Sequence, residues 1–372
     1  MSTSVQNKFD LDTPCLVLDL DVFERNLQKM QAAAGYVGKT LRPHAKTHKC
    51  SFLAQKQIEA GAIGICAAKV SEAEVLVKAG IKGILITGPV ATSKKIARLV
   101  DMLAAAPSLM TVVDHRISID LLDTTLRQRG MAMDVLLDID VGLHRTGVSP
   151  ADALELADII LSRPSLHLRG IQAYAGQVQH ICSYDIRKTT SLQCLKEAVS
   201  VFNELRIGVE TCTIFSSSGT GTSDIDLAVP EVTELQVGSY ACMDTEYIAI
   251  GSAADSTQFA LFGPALRLLT TVVSTNQKGF VTVDAGLKSL YKDGGVPTII
   301  GSEHPGLVYG WFGDEYGKVT CSGNGDVPSI GTVLELVTSH CDPTINLFDR
   351  YYLTRGNEVV GSWPIDLRGC NQ

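Results

Sequence analysis

At 372 residues, with 45% hydrophobic and 19% charged residues, the chain has a soluble globular profile and is long enough for one barrel with an addition or two ordinary domains. Lysine and arginine total 32 against 40 acidic residues, a net charge of -8, and no basic run extends beyond the cations between Arg42 and Lys49, so nucleic acid is excluded as an expected partner. No stretch is apolar for long enough to span a bilayer, the first ten residues lack an apolar leader core, and the ten cysteines lie singly with no CxxC pair; a cytoplasmic protein with reduced thiols is expected.

From residue 13, short β-rich runs alternate with helical patterns. Residues 14–19 precede a helical 22–34, 41–46 precede 51–60, and 63–69 precede 72–79. Further runs stand at 83–87, 109–113, 135–141, 168–175 and 213–217, each followed by a helix candidate or a glycine-rich break. The alternation predicts a parallel (β/α)8 TIM-like barrel over residues 13–250, whose strands read as continuously apolar because both faces are covered. An open doubly wound sheet is the alternative, but no GxGxxG follows the first strand to support it. After about residue 250, strand-like runs at 261–274, 280–284, 298–300, 318–321, 332–337, 351–354 and 358–360 are separated by Gly, Pro, Asp and Asn turns. Residues 251–372 therefore read as an all-β domain, which residues 1–12 could join.

The heptad Pro43-His44-Ala45-Lys46-Thr47-His48-Lys49 carries the first chemical signal. If residues 40–48 are extended, Arg42, His44, Lys46 and His48 share one face. Neighbouring positive charge and desolvation both favour a free amine, so Lys46 is a candidate Schiff-base lysine; a basic surface strand is the plain alternative. On a barrel, Lys46 ends the second strand, at the mouth where barrel enzymes gather reacting groups. Other strand ends there carry DVGLHR at 140–145, QAYAGQVQH at 172–180 and SSSGTGT at 216–222. The small residues of the last could wrap a phosphate, and Gly238-Ser239-Tyr240 could add donors. Two phosphate grips and one activated lysine point to pyridoxal phosphate. Asp138 and Asp140 share a face, as paired carboxylates would, and are read instead as partners of Arg42 and other barrel-interior cations. Near the C-terminus, an extended His340-Cys341-Asp342-Pro343-Thr344 would place His340 and Asp342 on one face as ligands for a divalent cation, or the motif is only a capped turn. One nitrogen and one hard oxygen suit manganese or magnesium ahead of zinc.

Seven ordered motifs then resemble one family: PHAKTHK, KVSEAE (69–74), HRTGV (144–148), QAYAG (172–176), ELQVGSYACMD (234–244), DAGLK (284–288) and HCDPT (340–344). Together they resemble the D-threonine aldolase and D-serine dehydratase family, pyridoxal-phosphate enzymes of the alanine racemase fold (fold type III). The resemblance implies that Lys46 forms the imine with the cofactor, that Arg145 bonds its phenolic oxygen and that Tyr174 lies by its ring. It implies a phosphate cradle of Ser218, Gly219 and Thr220 with Gly238, Ser239 and Tyr240, and metal ligation by His340 and Asp342. Dehydratases of the family tend to place a cysteine two residues after the histidine; here that position is Asp342, so the aldolase pattern fits better. The implied reaction is retro-aldol cleavage of a D-β-hydroxy-α-amino acid to glycine and an aldehyde by a homodimer; His48 or a metal-bound water is the candidate base, and Lys288 is a candidate to face the site from the second domain. D-serine dehydratase and 3-hydroxy-D-aspartate aldolase are the alternatives within the family. A cofactor-free Schiff-base aldolase and a non-enzymatic cofactor carrier are those outside it.

Overall fold

A computed structural model describes residues 6–303, 305–322 and 327–372. The first strand, β1 (Cys15–Asp19), is not a barrel strand. The barrel sheet is built from β2 (Thr40–Leu41), β3 (Cys66–Ala67), β4 (Leu85–Ile86), β5 (Met110–Val113), β6 (Met133–Asp138), β7 (Leu166–Ala173), β8 (Ile214–Ser217) and β9 (Glu234–Leu235), all paired in parallel. Its order runs from β2 through β9 back to β3. The ring closes because Ile63 N–H donates to Leu41 O (2.9 Å), Cys66 N–H to Pro43 O (2.8 Å) and Ala45 N–H to Cys66 O (2.9 Å). This is the expected (β/α)8 architecture, with the strands counted one element later than the sequence suggests.

The strands read as continuously apolar for the physical reason anticipated: β5 is buried at every position and β6 at all but one. Cys66, Leu85, Met110, Val112 and Leu136 form one cluster, with Ile214 packed against it. The helix Ser93–Met102 shows how the outer layer is specified. Ile96, Leu99 and Val100 are buried at the i, i+3, i+4 spacing, and Thr92 caps the first turn by accepting the Lys95 N–H (3.4 Å). Each such fully buried aliphatic side chain contributes about 1.5–3 kcal/mol.

The remaining strands are β10 (Leu266–Ser274), β11 (Phe280–Val283), β12 (Thr298–Ile300), β13 (Leu307–Trp311), β14 (Gly317–Cys321), β15 (Val333–Val337), β16 (Arg350–Arg355) and β17 (Glu358–Pro364). With β1 they make a mixed sheet, ordered β13-β14-β11-β10-β1-β16-β17, with β15 also on β10 and β12 on β15. β1 sits between β10 (antiparallel) and β16 (parallel), and both of its faces are buried, Leu16 and Leu18 on one and Cys15 and Val17 on the other.

The chain accordingly divides into two compact units that do not follow the expected break at residue 250. Lys29–Lys46, Ser51–Gly238 and Gly369–Gln372 make the barrel unit; the described residues up to Gln28, with Thr47–Cys50 and Ser239–Arg368, make the β unit. The first βα pattern looked like the others because it too is buried on both sides, and only its partners place it in the mixed sheet. No helix among the described residues is long and apolar enough to cross a membrane.

Candidate active site

In the barrel unit the extended run expected over 40–48 stops early. Beyond β2 the chain keeps a bridge from His44 to Cys66 and then turns through residues 45–48. Lys46 therefore projects from a turn at the strand's end, and the face shared by Arg42, His44, Lys46 and His48 does not form. Arg42 is instead buried and paired with Glu234, Nε to Oε1 at 2.9 Å and Nη2 to Oε2 at 2.8 Å, so neither Asp138 nor Asp140 is its partner. His44 Nδ1 accepts the Lys46 N–H (3.3 Å) and its Nε2 meets Thr87 Oγ1 (3.0 Å), which is the pattern of a neutral ring donating through Nε2.

Lys46 lines a cleft of about 420 Å³ with His44, Lys69, Thr87, Lys95 and Arg145, and no carboxylate side chain is among the residues around it. Such a lining selects for anionic ligands. Two of these cations stand over the Tyr174 ring, Lys46 Nζ 5.7 Å and Arg145 Cζ 5.9 Å from its centroid. The strand ends behind them are fixed by a polar chain that sequence reasoning missed. Gln172 Nε2 donates to Asp138 (2.8 Å) and to Thr87 O (3.0 Å), and Gln236 Nε2 donates to Gln172 Oε1 (2.9 Å) and to Ser216 Oγ (2.8 Å). Burial pushes the Asp138 carboxyl up to about 6, against the pull of its donors Gln172 and Thr146. For Asp140, desolvation pushes upward but is outweighed: the backbone and ring N–H groups of His144, with the Gly142 N–H, hold the carboxyl below its ordinary value.

The loop after β8 is buried from Ser217 through Ser223. Gln179 Oε1 accepts the Gly221 N–H (3.0 Å), Arg187 Nε donates to Gly221 O (2.7 Å), and Thr222 Oγ1 donates to Asp226 Oδ2 (2.6 Å). A Cβ on Gly221 would stand 2.0 Å from the Gln179 carbonyl oxygen, so only glycine allows this approach. Asp226, four residues after Thr222, could have been sought as a support for so glycine-rich a loop, whereas Gln179, 42 residues from Gly221, gave no local signal. Gly238 ends the barrel unit and Ser239 and Tyr240 open the β unit, all three being buried. An amine and a guanidinium by one aromatic face, together with a tight loop of small residues, fit pyridoxal phosphate.

In the β unit, His48 is fully buried; its Nδ1 accepts the Cys50 N–H (3.2 Å) and its carbonyl accepts the Tyr351 hydroxyl. HCDPT is not extended. His340 precedes a short helix, Cys341–Ile345, and Asp342 lies in its first turn. Asp244 anchors this helix, accepting the N–H groups of Cys341 (3.0 Å) and Tyr247 (3.1 Å); burial drives its carboxyl up to about 6. Cys341 is fully buried with its thiol on Met243 O (3.3 Å), and burial raises its pKa well above the ordinary thiol value. Asp342 Oδ1, by contrast, is buried with no hydrogen-bond partner among the described residues, which a cation would satisfy. Among the described residues no group of three or more His, Cys, Asp or Glu side chains is arranged to hold a metal, so a bound ion would take few protein ligands. Lys288 is exposed and ion-paired with Glu315 (2.5 Å).

The alanine racemase N-terminal domain family matches residues 18–246 and the putative serine dehydratase domain family residues 265–354. A D-threonine aldolase from an Arthrobacter species is 41% identical over 97% of this chain and 94% of its own. The chain belongs to the D-threonine aldolase and D-serine dehydratase family. A second family member, the 3-hydroxy-D-aspartate aldolase of Paracoccus denitrificans (strain Pd 1222), is 35% identical over 97% of this chain and 93% of its own. The crystal structure of D-threonine aldolase from Filomicrobium marinum superposes with a TM-score of 0.92 at 36% identity, covering 98% of this chain and 97% of that one.

Proposed function

We propose that this family member is a pyridoxal-phosphate- and divalent-metal-dependent D-threonine aldolase, a carbon–carbon lyase that converts D-β-hydroxy-α-amino acids to glycine and an aldehyde. The observation that carries the choice is the donor set of HCDPT: at 342 a carboxylate whose buried Oδ1 has no hydrogen-bond partner among the described residues, and at 341 a buried thiol hydrogen-bonded to the Met243 carbonyl. The aldolase relatives support the same reading. Bound cofactor supplies an electron sink for a carbanion, and a divalent ion, manganese or magnesium ahead of zinc for this donor pair, supplies a Lewis acid for a hydroxyl.

Lys46 would hold the cofactor through its amine, with Tyr174 against the ring, Arg145 on the phenolic oxygen, and Ser218, Gly219, Thr220, Gly238, Ser239 and Tyr240 on the phosphate. His340 and Asp342 would hold the metal. The hydroxyl proton leaves to a base, the Cα–Cβ electron pair stays on Cα, Cβ departs as the aldehyde carbon, and Cα takes a proton. His48 is the proposed base. His48→Gln tests it: glutamine retains an acceptor for the Cys50 N–H, so kcat should fall while cofactor binding persists. Unchanged kcat would remove His48 from the mechanism.

Incubation with D-threonine and with D-serine tests the reaction type. Acetaldehyde and glycine from D-threonine are expected, lost on chelation and restored by manganese. Pyruvate and ammonia from D-serine, with no acetaldehyde from D-threonine, would make the chain a dehydratase. We further propose a cytoplasmic homodimer, which sedimentation of the purified protein checks.

A further inference from the structure

We propose that Asp293 is the positioning residue for His340, holding the imidazole by its Nδ1–H so that Nε2 is presented to the metal. The proposal rests on the reading of His340 and Asp342 as ligands. His340 Nδ1 lies 3.3 Å from Asp293 Oδ2. An ionised carboxylate only accepts, so the shared proton sits on Nδ1, and in a neutral ring the lone pair is then on Nε2. A carboxylate behind a metal-binding histidine fixes its tautomer and ring plane and raises its basicity.

Asp293 is not a chance neighbour on a loose loop, because the segment before it is tied to both ends of the motif. Ser339 Oγ donates to Tyr291 O (2.8 Å), and Tyr291 N–H donates to Thr344 Oγ1 (3.3 Å). Trp311 Nε1 donates to Leu290 O (3.0 Å) from β13. Immediately after Asp293, Gly294 takes φ +78°, a left-handed backbone conformation that favours glycine. The loop is thus registered against the His340 motif through Tyr291, two residues before Asp293. The buried Asp342 Oδ1 two residues on, without a hydrogen-bond partner among the described residues, supplies the independent sign that a cation belongs beside the oriented ring.

The test is manganese binding to the cofactor-loaded enzyme, followed by electron paramagnetic resonance without substrate, with the ¹⁴N coupling from the histidine as the spectroscopic signature. Asp293→Ala should weaken binding about 10–100-fold and alter that coupling, the range typical for loss of such a partner. Asp293→Asn, whose amide oxygen still accepts from Nδ1–H, should keep the coupling and bind more tightly than the alanine variant. Manganese affinity and coupling unchanged in Asp293→Ala would overturn the proposal. So would an asparagine variant as weak as the alanine one, which would make Asp293 a ligand or a simple charge. If the parent enzyme binds manganese with no histidine coupling, or if His340→Gln leaves the coupling intact, the ligand reading itself fails and the proposal with it. Asp293 is an exposed residue, so the near-ultraviolet dichroism of both variants should match the parent's.

Discussion

Glu234→Ala should do disproportionate damage for a single carboxylate far from the reacting atoms. The Arg42 and Glu234 side chains are 5% and 2% exposed and share two hydrogen bonds of 2.9 and 2.8 Å. Removing the carboxylate leaves a buried guanidinium that, among the described residues, keeps a hydrogen bond to the Gly83 carbonyl alone. Breaking a buried pair in this way costs about 3–5 kcal/mol, roughly two to three and a half powers of ten in the folding equilibrium at about 1.4 kcal/mol each. The damage should reach Lys46, the proposed cofactor lysine, because this stretch is hung from the last barrel strand: Thr40 and Leu41 pair with Glu234 and Leu235, Arg42 N–H donates to Leu235 O (3.0 Å), and His44 N–H donates to Val237 O (3.0 Å). Urea denaturation followed by far-ultraviolet dichroism measures the stability, and the absorbance of lysine-bound cofactor reports on Lys46. Arg42→Met with Glu234→Leu should recover most of the loss, since an apolar pair leaves no buried charge. A Glu234→Ala loss below about 1 kcal/mol, or a double variant as unstable as the single one, would refute the reasoning that desolvated charge dominates here.

Three further outcomes are expected. Gly221→Ala must displace the loop or Gln179, because its Cβ falls 2.0 Å from a backbone oxygen; cofactor affinity should drop at least tenfold by titration, about 1.4 kcal/mol, while Gly35→Ala, which meets nothing within 4 Å, leaves it unchanged. Asp138 has a folded pKa of about 6 against 3.8 ordinarily, so its contribution to stability is fully present below about 3.8 and lost as pH rises through about 6. Melting temperatures of Asp138→Asn minus parent should therefore rise between pH 4 and pH 7, and a flat difference would count against the shift. Asp342→Ala should keep the cofactor absorbance yet fall to the activity of chelated parent enzyme and ignore added manganese; normal turnover would remove Asp342 from the metal site.

Chemistry that lives within a few residues was legible in the sequence. PHAKTHK, SSSGTGT and HCDPT are short runs whose residue types alone suggest a chemistry, although the fold turns the first through residues 45–48 and makes the last a helix start, and alternating β and α patterns announce a barrel because each βα unit is a local event. What the sequence could not show is which distant partner satisfies a group once it is buried. The strand 15–19 has the same apolar pattern as a barrel strand, and only its pairing with Leu266–Leu269 and Tyr351–Thr354 assigns it to the mixed sheet. Arg42 needed a carboxylate, and the nearer acids in sequence were plausible until the fold supplied Glu234, 192 residues away. Likewise Gln179 behind the glycine loop and Asp293 behind His340 answer to desolvation and hydrogen-bond geometry, which arise only when the chain closes on itself. By itself the sequence determined the chemical vocabulary and its local order. The tertiary structure decided the partners, because a buried polar group is paired by whatever the packing brings within about 3 Å, at any separation along the chain.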